Sequence, residues 1–373
     1  MSRARPSEPH AVSPARPDLA ALNRTALEAL FTNAGIQAFH ARQVYRWIHK
    51  RGVTDPAAMT DLAQPLRERL AREFTIGTPA VVTRDISSDG TQKFLFELSD
   101  RRRVESVFIP DTPALTFCIS SQVGCAMDCA FCLTGKMGFV RNLSAGEIVG
   151  QVRVLAGTLE LLDTPINIVL MGMGEPLHNY DAVMDALRML TDEQGLGIPP
   201  RRITLSTVGL VPGIERLMQE PLVPNLAISL HGTTDAQRTA IVPINKKYPL
   251  EELLAACRRI PLKRRDRITF EYVLLDGVND TPEDARRLVR LLSQLKAKVN
   301  LIPLNAAPGI PFERPSDARV DRFAAILAEH GMTVSVRKSR GRDIRAACGQ
   351  LIVEGQKRAP AQKMASLIDT RDL

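Results

Sequence analysis

The chain has 373 residues, 45% of them hydrophobic and 24% charged, the balance of a globular protein with one large core and room for a smaller domain. No apolar run approaches the roughly 20 residues of a membrane-spanning helix, and the N-terminal MSRARPSEPHAVSPARPDLA lacks the apolar stretch of a secretory signal. These absences predict a cytoplasmic protein with no membrane partner, and the net charge of +8, from 49 basic against 41 acidic residues, favours a polyanionic partner such as RNA.

Residues 1–20, rich in Pro, Arg and Ala, are expected to be a disordered tail. Helical periodicity follows over 21–78, a small accessory domain. In ARQVYRWIHK, Val44, Trp47 and Ile48 fall at i, i+3 and i+4, so Trp47 is expected to anchor its core while Arg42, Arg46, His49 and Lys50 point elsewhere. Residues 79–110 read as a β meander: PAVVTRDI, the turn SSDGT, QKFLFELS, then RVESVFIP.

From 111 to 348 strand and helix patterns alternate. The strands are TFCISS, INIVLM, RITLST, NLAISLH, ITFEYVLL, VNLIPLN and TVSVRK, with helices starting near Ala145, Asp181, Gly213, Leu250, Pro282 and Asp317. Ser144 three before Glu147, and Thr281 three before Asp284, are capping signatures. Such alternation predicts an α/β fold with a parallel sheet, an open or partial barrel whose chemistry lies at the strand C-termini. Residues 349–373 form a C-terminal tail.

Six cysteines occur, Cys118, Cys125, Cys129, Cys132, Cys257 and Cys348. In a cytoplasmic protein, tight clustering points to metal or redox chemistry before structural disulfides. Cys125, Cys129 and Cys132 make C-x3-C-x2-C directly after the strand TFCISS, with Phe131 before the last cysteine. Three thiolates on one short loop can hold three irons of a [4Fe–4S] cluster and leave the fourth open. A structural zinc wants four ligands, usually two separated pairs, and no second pair exists.

Other chemistry-bearing residues also stand just after strands. INIVLM runs into Gly172–Pro176, where glycines let backbone approach a ligand and Glu175 can accept from an ammonium group. Ser206, Ser229, Leu230, His231 and Asn305 end later strands. In isolation each of these would more often be a cap or turn former.

C-x3-C-x-aromatic-C after the first strand of a partial barrel resembles the radical S-adenosylmethionine superfamily. That resemblance implies a partial (β/α)6 barrel, one [4Fe–4S] cluster on Cys125, Cys129 and Cys132, and S-adenosylmethionine chelated to the open iron. It also implies a cofactor pocket lined by Gly174, Glu175, Ser206, Ser229, Leu230, His231 and Asn305.

A narrower resemblance covers residues 21 to 360. SSQVGC, GKMGFVRNL, MGMGEPLHNYD, LSTVGLVPGI, AISLH, IVPINKKY, EYVLLDGVND and RKSRGRDIRAACGQL are similar to the bacterial dual-specificity RNA methyltransferases. Leu304, where an aromatic is common, is a peripheral departure. The family methylates carbon 2 of an adenine in 23S rRNA and in certain tRNAs, using two S-adenosylmethionine molecules.

By that resemblance Cys348 carries a methyl group, from which a 5′-deoxyadenosyl radical takes a hydrogen. The resulting methylene radical joins carbon 2. Cys118 then attacks the Cys348 sulfur, releasing the product and leaving a disulfide to be reduced. Glu105 matches the base that removes the carbon-2 proton. An electron donor such as flavodoxin and a monomeric enzyme complete the expectation.

On residues alone, Cys118 alternates with apolar neighbours and reads as packing, whereas Cys348 beside Gly349 suits a mobile carrier. Cys257 in LLAACRRI reads as core filler. Glu105 could be a surface carboxylate paired with Arg103. The basic runs Arg101–Arg103, Lys246–Lys247, Lys263–Arg265 and Lys338–Arg342 are candidates for RNA contact, the last favoured by its closeness to Cys348. Two further readings stay open: the related carbon-8 methyltransferases, which share the catalytic motifs, and a zinc-bearing RNA-binding module without catalysis.

Overall fold

The computed structural model describes residues 16–110 and 114–353. Two apolar clusters organise it. The smaller one belongs to the N-terminal helices Arg24–Asn33, Ala38–Tyr45 and Gln64–Glu73. Leu27 and Phe31, one turn apart, face Val44, Tyr45, Ile48, Leu70 and Phe74, so burial of one face holds helices too short to persist alone.

Two expectations change here. Residues 16–20, expected within a disordered tail, are ordered: Leu19 and Ala20 are buried and Asp18 accepts from the amides of Ala20 and Gly77. Residues 1–15 lie outside the described residues. Trp47 is half-buried rather than a core anchor, with its indole N–H donated to Asp61 and the Arg51 guanidinium 4.0 Å above its ring. The reason is a widened π turn over Arg46–Lys50, where the Arg51 amide reaches back to the Arg46 carbonyl. That shift of phase turns Ile48 and His49 inward, and His49, expected on the polar side, is fully buried against Tyr45.

The larger cluster fills a ten-stranded sheet. The meander supplies β1 (Ala80–Ile86), β2 (Gln92–Glu97) and β3 (Arg103–Ile109), all antiparallel. β3 pairs antiparallel with β4 (Thr116–Cys118), so the meander continues the barrel sheet. A small hairpin follows, β5 (Gln122–Gly124) with β6 (Phe139–Asn142). The parallel strands then run in chain order from β4 through β7 (Asn167–Leu170), β8 (Ile203–Thr207), β9 (Asn225–Ser229), β10 (Ile268–Leu274), β11 (Ala297–Pro303) and β12 (Thr333–Val336).

Seven parallel strands joined by helical crossovers make the open α/β barrel that the alternation predicts. The helices Ala145–Thr158 and Pro282–Leu292 begin with complete capping boxes at Ser144/Glu147 and Thr281/Asp284. The short helices Leu133–Met137 and Asp235–Ile241 and the β5–β6 hairpin have no periodicity long enough to read in sequence. No helix among the described residues is long and apolar enough to cross a membrane.

Candidate active site

The C-terminal ends of the parallel strands converge on two adjoining cavities. The smaller, about 150 Å³, is lined by Cys125, Cys129 and Cys132 together with Gly172, Gly174, Glu175, Ser206, Ser229, His231 and Asn305. The larger, about 660 Å³, runs through the barrel lumen and is lined by Cys118, Met171, Lys338 and Arg340 near the site. Arg201, Arg202 and Lys298 line it near the strand N-termini. Cys348, Arg337, Glu271 and Asn305 line both.

The three clustered cysteines occupy the loop between β5 and the helix Leu133–Met137. Asp128 at φ +50° and the Ala130 amide bonded to the Ile241 carbonyl set the turn between them. Burial raises all three thiols, so they become ligands only where a positive centre stabilises the thiolates. Arg238 supplies part of that charge beside Cys129. It is fully buried, bonded to Asn245 and to the carbonyls of Leu230 and Val208, and lies in a helix too short to signal its role in sequence.

Among the described residues no three such side chains close on one point as ligands of a single ion would. The three thiols line the smaller cavity together, the donor set that three irons of one cluster take.

Glu175 is 2% exposed. Its oxygens accept the amides of Leu177 (3.0 Å) and Val208 (2.9 Å), yet burial outweighs these bonds and pushes the carboxyl up to about 7. A cationic amine brought into the cavity would restore the carboxylate. Gly174 has φ +107° and passes so close to Gln122 that an added Cβ would lie 2.6 Å from its Cβ, which restricts this turn to glycine.

His231 stands at φ +58°, accepting the Val273 amide on Nδ1 (3.0 Å) and meeting Phe131 edge-on at 4.7 Å. Its imidazole is held neutral by burial, its titration lowered to about 3. The Asn305 Oδ1 is buried without a hydrogen-bond partner, an acceptor still needing a donor. Leu230 is the exception among the expected pocket residues. Strand alternation turns its side chain into the core, fully buried, while Ser229 and His231 face the cavity.

Cys118 ends β4 on the lumen side, and its thiol is pushed up to about 12, chiefly by burial. Arg337, the first residue of the motif RKSRGRDIRAACGQL, has no role legible there, yet its guanidinium faces Cys348, Glu271 and Cys118, and the first of these raises it most. Glu271 accepts from Asn300 at 2.7 Å.

Cys348 rides a loop latched to the meander. Gly341 donates to Asp89 (3.0 Å), and at φ +61° an added Cβ would meet Ala346 and Thr91 at 2.7 and 2.9 Å. Beyond Cys348, the Gly349 and Leu351 carbonyls accept from the Leu133 amide and the Thr134 hydroxyl, so residues 349–353 of the expected tail pack onto the barrel. Residues 354–373 lie outside the described residues.

Glu105 lies on β3, its carbonyl accepting from the Ser120 hydroxyl two residues beyond the end of β4 at Cys118. It lines neither cavity. Its Oε2 accepts the Ile352 amide (2.8 Å) and its Oε1 pairs with Lys93 (3.1 Å), not with Arg103, which pairs with Glu97. Among the basic runs, Lys338 and Arg340 reach the larger cavity, Arg101 pairs with Glu97, and Lys263–Arg265 precede β10 at the end of the barrel opposite the site. Cys257 is core.

An open barrel with a three-cysteine loop between its first two parallel strands defines a radical S-adenosylmethionine protein, and the radical SAM superfamily model matches residues 119–292. The model of the ribosomal RNA large subunit methyltransferase N-terminal domain matches residues 17–76. The chain is 50% identical over 358 residues to the dual-specificity RNA methyltransferase RlmN of Anaeromyxobacter dehalogenans (strain 2CP-C), covering 94% of this chain and 96% of that one. It is 51% identical over 335 residues to that of Geobacter sulfurreducens (strain ATCC 51573 / DSM 12127 / PCA), covering 90% and 91%. The crystal structure of a radical SAM methyltransferase from Sphaerobacter thermophilus superposes with TM-score 0.86 at 46% identity, covering 90% of this chain and 99% of that one. The chain belongs to the RlmN family of dual-specificity RNA methyltransferases. Its cofactors are accordingly a [4Fe–4S] cluster and S-adenosylmethionine.

Proposed function

We propose that this chain methylates carbon 2 of an adenine in 23S rRNA and in tRNAs, with Cys348 as the methyl carrier. The observation that carries this reading is the placement of Cys348 on the wall shared by two cavities. The three clustered cysteines line only the smaller, and Cys118 only the larger. A carrier thiol needs access to the cofactor on one side and to the substrate and a resolving thiol on the other.

Carbon 2 lies between two ring nitrogens and is too electron-poor to attack a sulfonium methyl directly, so both a carrier and a radical are needed. When bound to Cys125, Cys129, Cys132 and the smaller cavity, the cluster and S-adenosylmethionine supply methyl groups, one electron and a 5′-deoxyadenosyl radical. Cys348 accepts the methyl at its sulfur, which the Arg337 guanidinium faces. After the carrier carbon has joined the adenine, Glu105 takes the carbon-2 proton, for which residues 350–353 must first leave its Oε2. Cys118 then attacks the Cys348 sulfur: the S–S bond forms as the S–CH2 bond breaks, and the electron pair left on the CH2 carbon takes up a proton to give the methyl group.

In the pocket, Glu175 and Asn305 receive the polar end of S-adenosylmethionine, while Gly174, Ser206, Ser229 and His231 shape the walls and Leu230 contributes backbone alone. Lys338 and Arg340 meet RNA phosphates at the larger cavity. One chain holds both cavities and every named group, which supports a monomer, and the cluster calls for an outside electron donor such as flavodoxin. A cytoplasmic location follows from the substrates.

Anaerobic reconstitution, incubation with S-adenosylmethionine and 23S rRNA, and mass spectrometry of the nucleosides test this reading. 2-Methyladenosine supports it, 8-methyladenosine overturns the regiochemistry, and a colourless zinc-loaded protein overturns the enzyme.

A further inference from the structure

Glu105 ends a row of charges that crosses the meander. Asp85 on β1 lies directly opposite Lys93 on β2, and Lys93 is the diagonal neighbour of Glu105, the register pairs being Lys93 with Val107 and Leu95 with Glu105. The Lys93 ammonium stands 3.1 Å from Glu105 Oε1 and 3.8 Å from Asp85 Oδ2. Side-chain exposure falls along the row, from 48% at Asp85 to 13% at Lys93 and 6% at Glu105.

We propose that Lys93 is a positioning residue for removal of the carbon-2 proton: its ammonium holds Glu105 as the carboxylate and engages Oε1, which leaves Oε2 to face the adenine once residues 350–353 lift. The inference rests on the reading of Glu105 as the base. In the step concerned, once the radical adduct has lost one electron, which the oxidised cluster would accept, the C2–H bond breaks, the proton forms an O–H bond on Glu105 Oε2, and the electron pair of that bond restores the aromatic ring.

The groups facing Glu105 account for the need. Burial alone drives a carboxyl toward its neutral form, in which it removes no proton. Burial prevails and raises the Glu105 carboxyl above its ordinary value, opposed by Lys93 from β2 and the Ile352 amide from the C-terminal segment, while Asp85 from β1 adds to the rise. The Ile352 bond is lost when the segment lifts. Lys93 is then the cationic group that still favours the carboxylate, and the Met173 sulfur and Ser120 hydroxyl, bonded to the Glu105 main chain, bring no charge.

The experiment uses the reconstituted enzyme with S-adenosylmethionine and a 23S rRNA fragment between pH 6 and pH 9. It compares wild type with Lys93→Met, Lys93→Arg and Glu105→Gln. Three quantities are read: methylation of Cys348 by peptide mass, covalent enzyme–RNA adduct on denaturing gels, and 2-methyladenosine. Lys93→Met is expected to methylate Cys348 normally, to accumulate adduct about tenfold at pH 7, and to move the acidic limb of adduct resolution up by at least about one pH unit. Lys93→Arg is expected to restore both.

Adduct resolution in Lys93→Met with the wild-type rate and pH profile overturns the inference, as does an equal loss of all three readouts, which would mark Lys93 as structural only. If Glu105→Gln resolves adduct normally, the base assignment falls. If Glu105→Gln stalls while Lys93→Met does not, only Lys93 falls.

Discussion

The Ser87 hydroxyl donates to Asp343 Oδ1 at 2.6 Å, tying the β1–β2 turn to the loop of Cys348 across 256 positions of sequence. The Ser88 amide donates to the other oxygen of Asp343 at 3.1 Å, and Asp89 returns a bond from Gly341. Two carboxylates pointing in opposite directions thus clamp one loop against one turn.

Asp343→Ala opens one side of that clamp without touching the core. Turnover should fall between about ten- and a hundredfold, the penalty of a misplaced reacting group, while the thermal midpoint stays near that of wild type. Faster trypsin cleavage at Arg342 or Arg345 would accompany it. Wild-type turnover in the variant would mean that the loop needs no latch.

The two carrier-side cysteines should fail at different stages. Cys348→Ala gives neither methylated protein nor adduct, and product drops to background. Cys118→Ala should still load the methyl and join the RNA, then stall as a covalent species resistant to denaturation. Denaturing gels and intact-protein mass spectrometry separate the two, and identical behaviour would refute the division of roles.

Glu175 gives the cofactor-free protein a pH signature. Its folded carboxyl is raised to about 7, so the folded chain holds a proton that the unfolded chain releases near 4.5. The associated stability is present at low pH, is lost as pH rises from about 4.5 to about 7, and stays lost above. The amplitude is at most about 3 kcal/mol. Urea unfolding between pH 5 and pH 8 should show this loss in wild type and not in Glu175→Gln; parallel curves would sink the assignment.

Lys338 and Arg340 should act on RNA affinity and not on base choice. Replacing both with Ala is expected to weaken binding uniformly across sequences and to lower the slope of log affinity against log salt by about 2, one unit per lost phosphate contact. Filter binding from 50 to 300 mM KCl measures it, and an unchanged slope would place the RNA elsewhere.

Much of this protein is settled along the chain. Strand–helix alternation reads as the open barrel because side-chain period is a local property, and the boxes at Ser144 and Thr281 close between residues three apart. C-x3-C-x2-C is legible because its ligands share one loop. The strand-end residues Gly174, Glu175, Ser206, Ser229, His231 and Asn305 reach one cavity because parallel strands finish on the same side.

Tertiary structure decided what depends on distant partners. The phase of Trp47 and His49 turned on a π turn that helical spacing does not encode. Lys93 and Glu105 are surface-like in sequence and become a partly buried pair only through strand register. Arg337 opens the motif RKSRGRDIRAACGQL without a role legible there, and its place opposite both carrier-side cysteines arises when β12 completes the barrel. Cys348 belongs to two cavities for the same reason. A site shared between elements exists only once long-range packing has fixed their distance, and local sequence holds no measure of that distance.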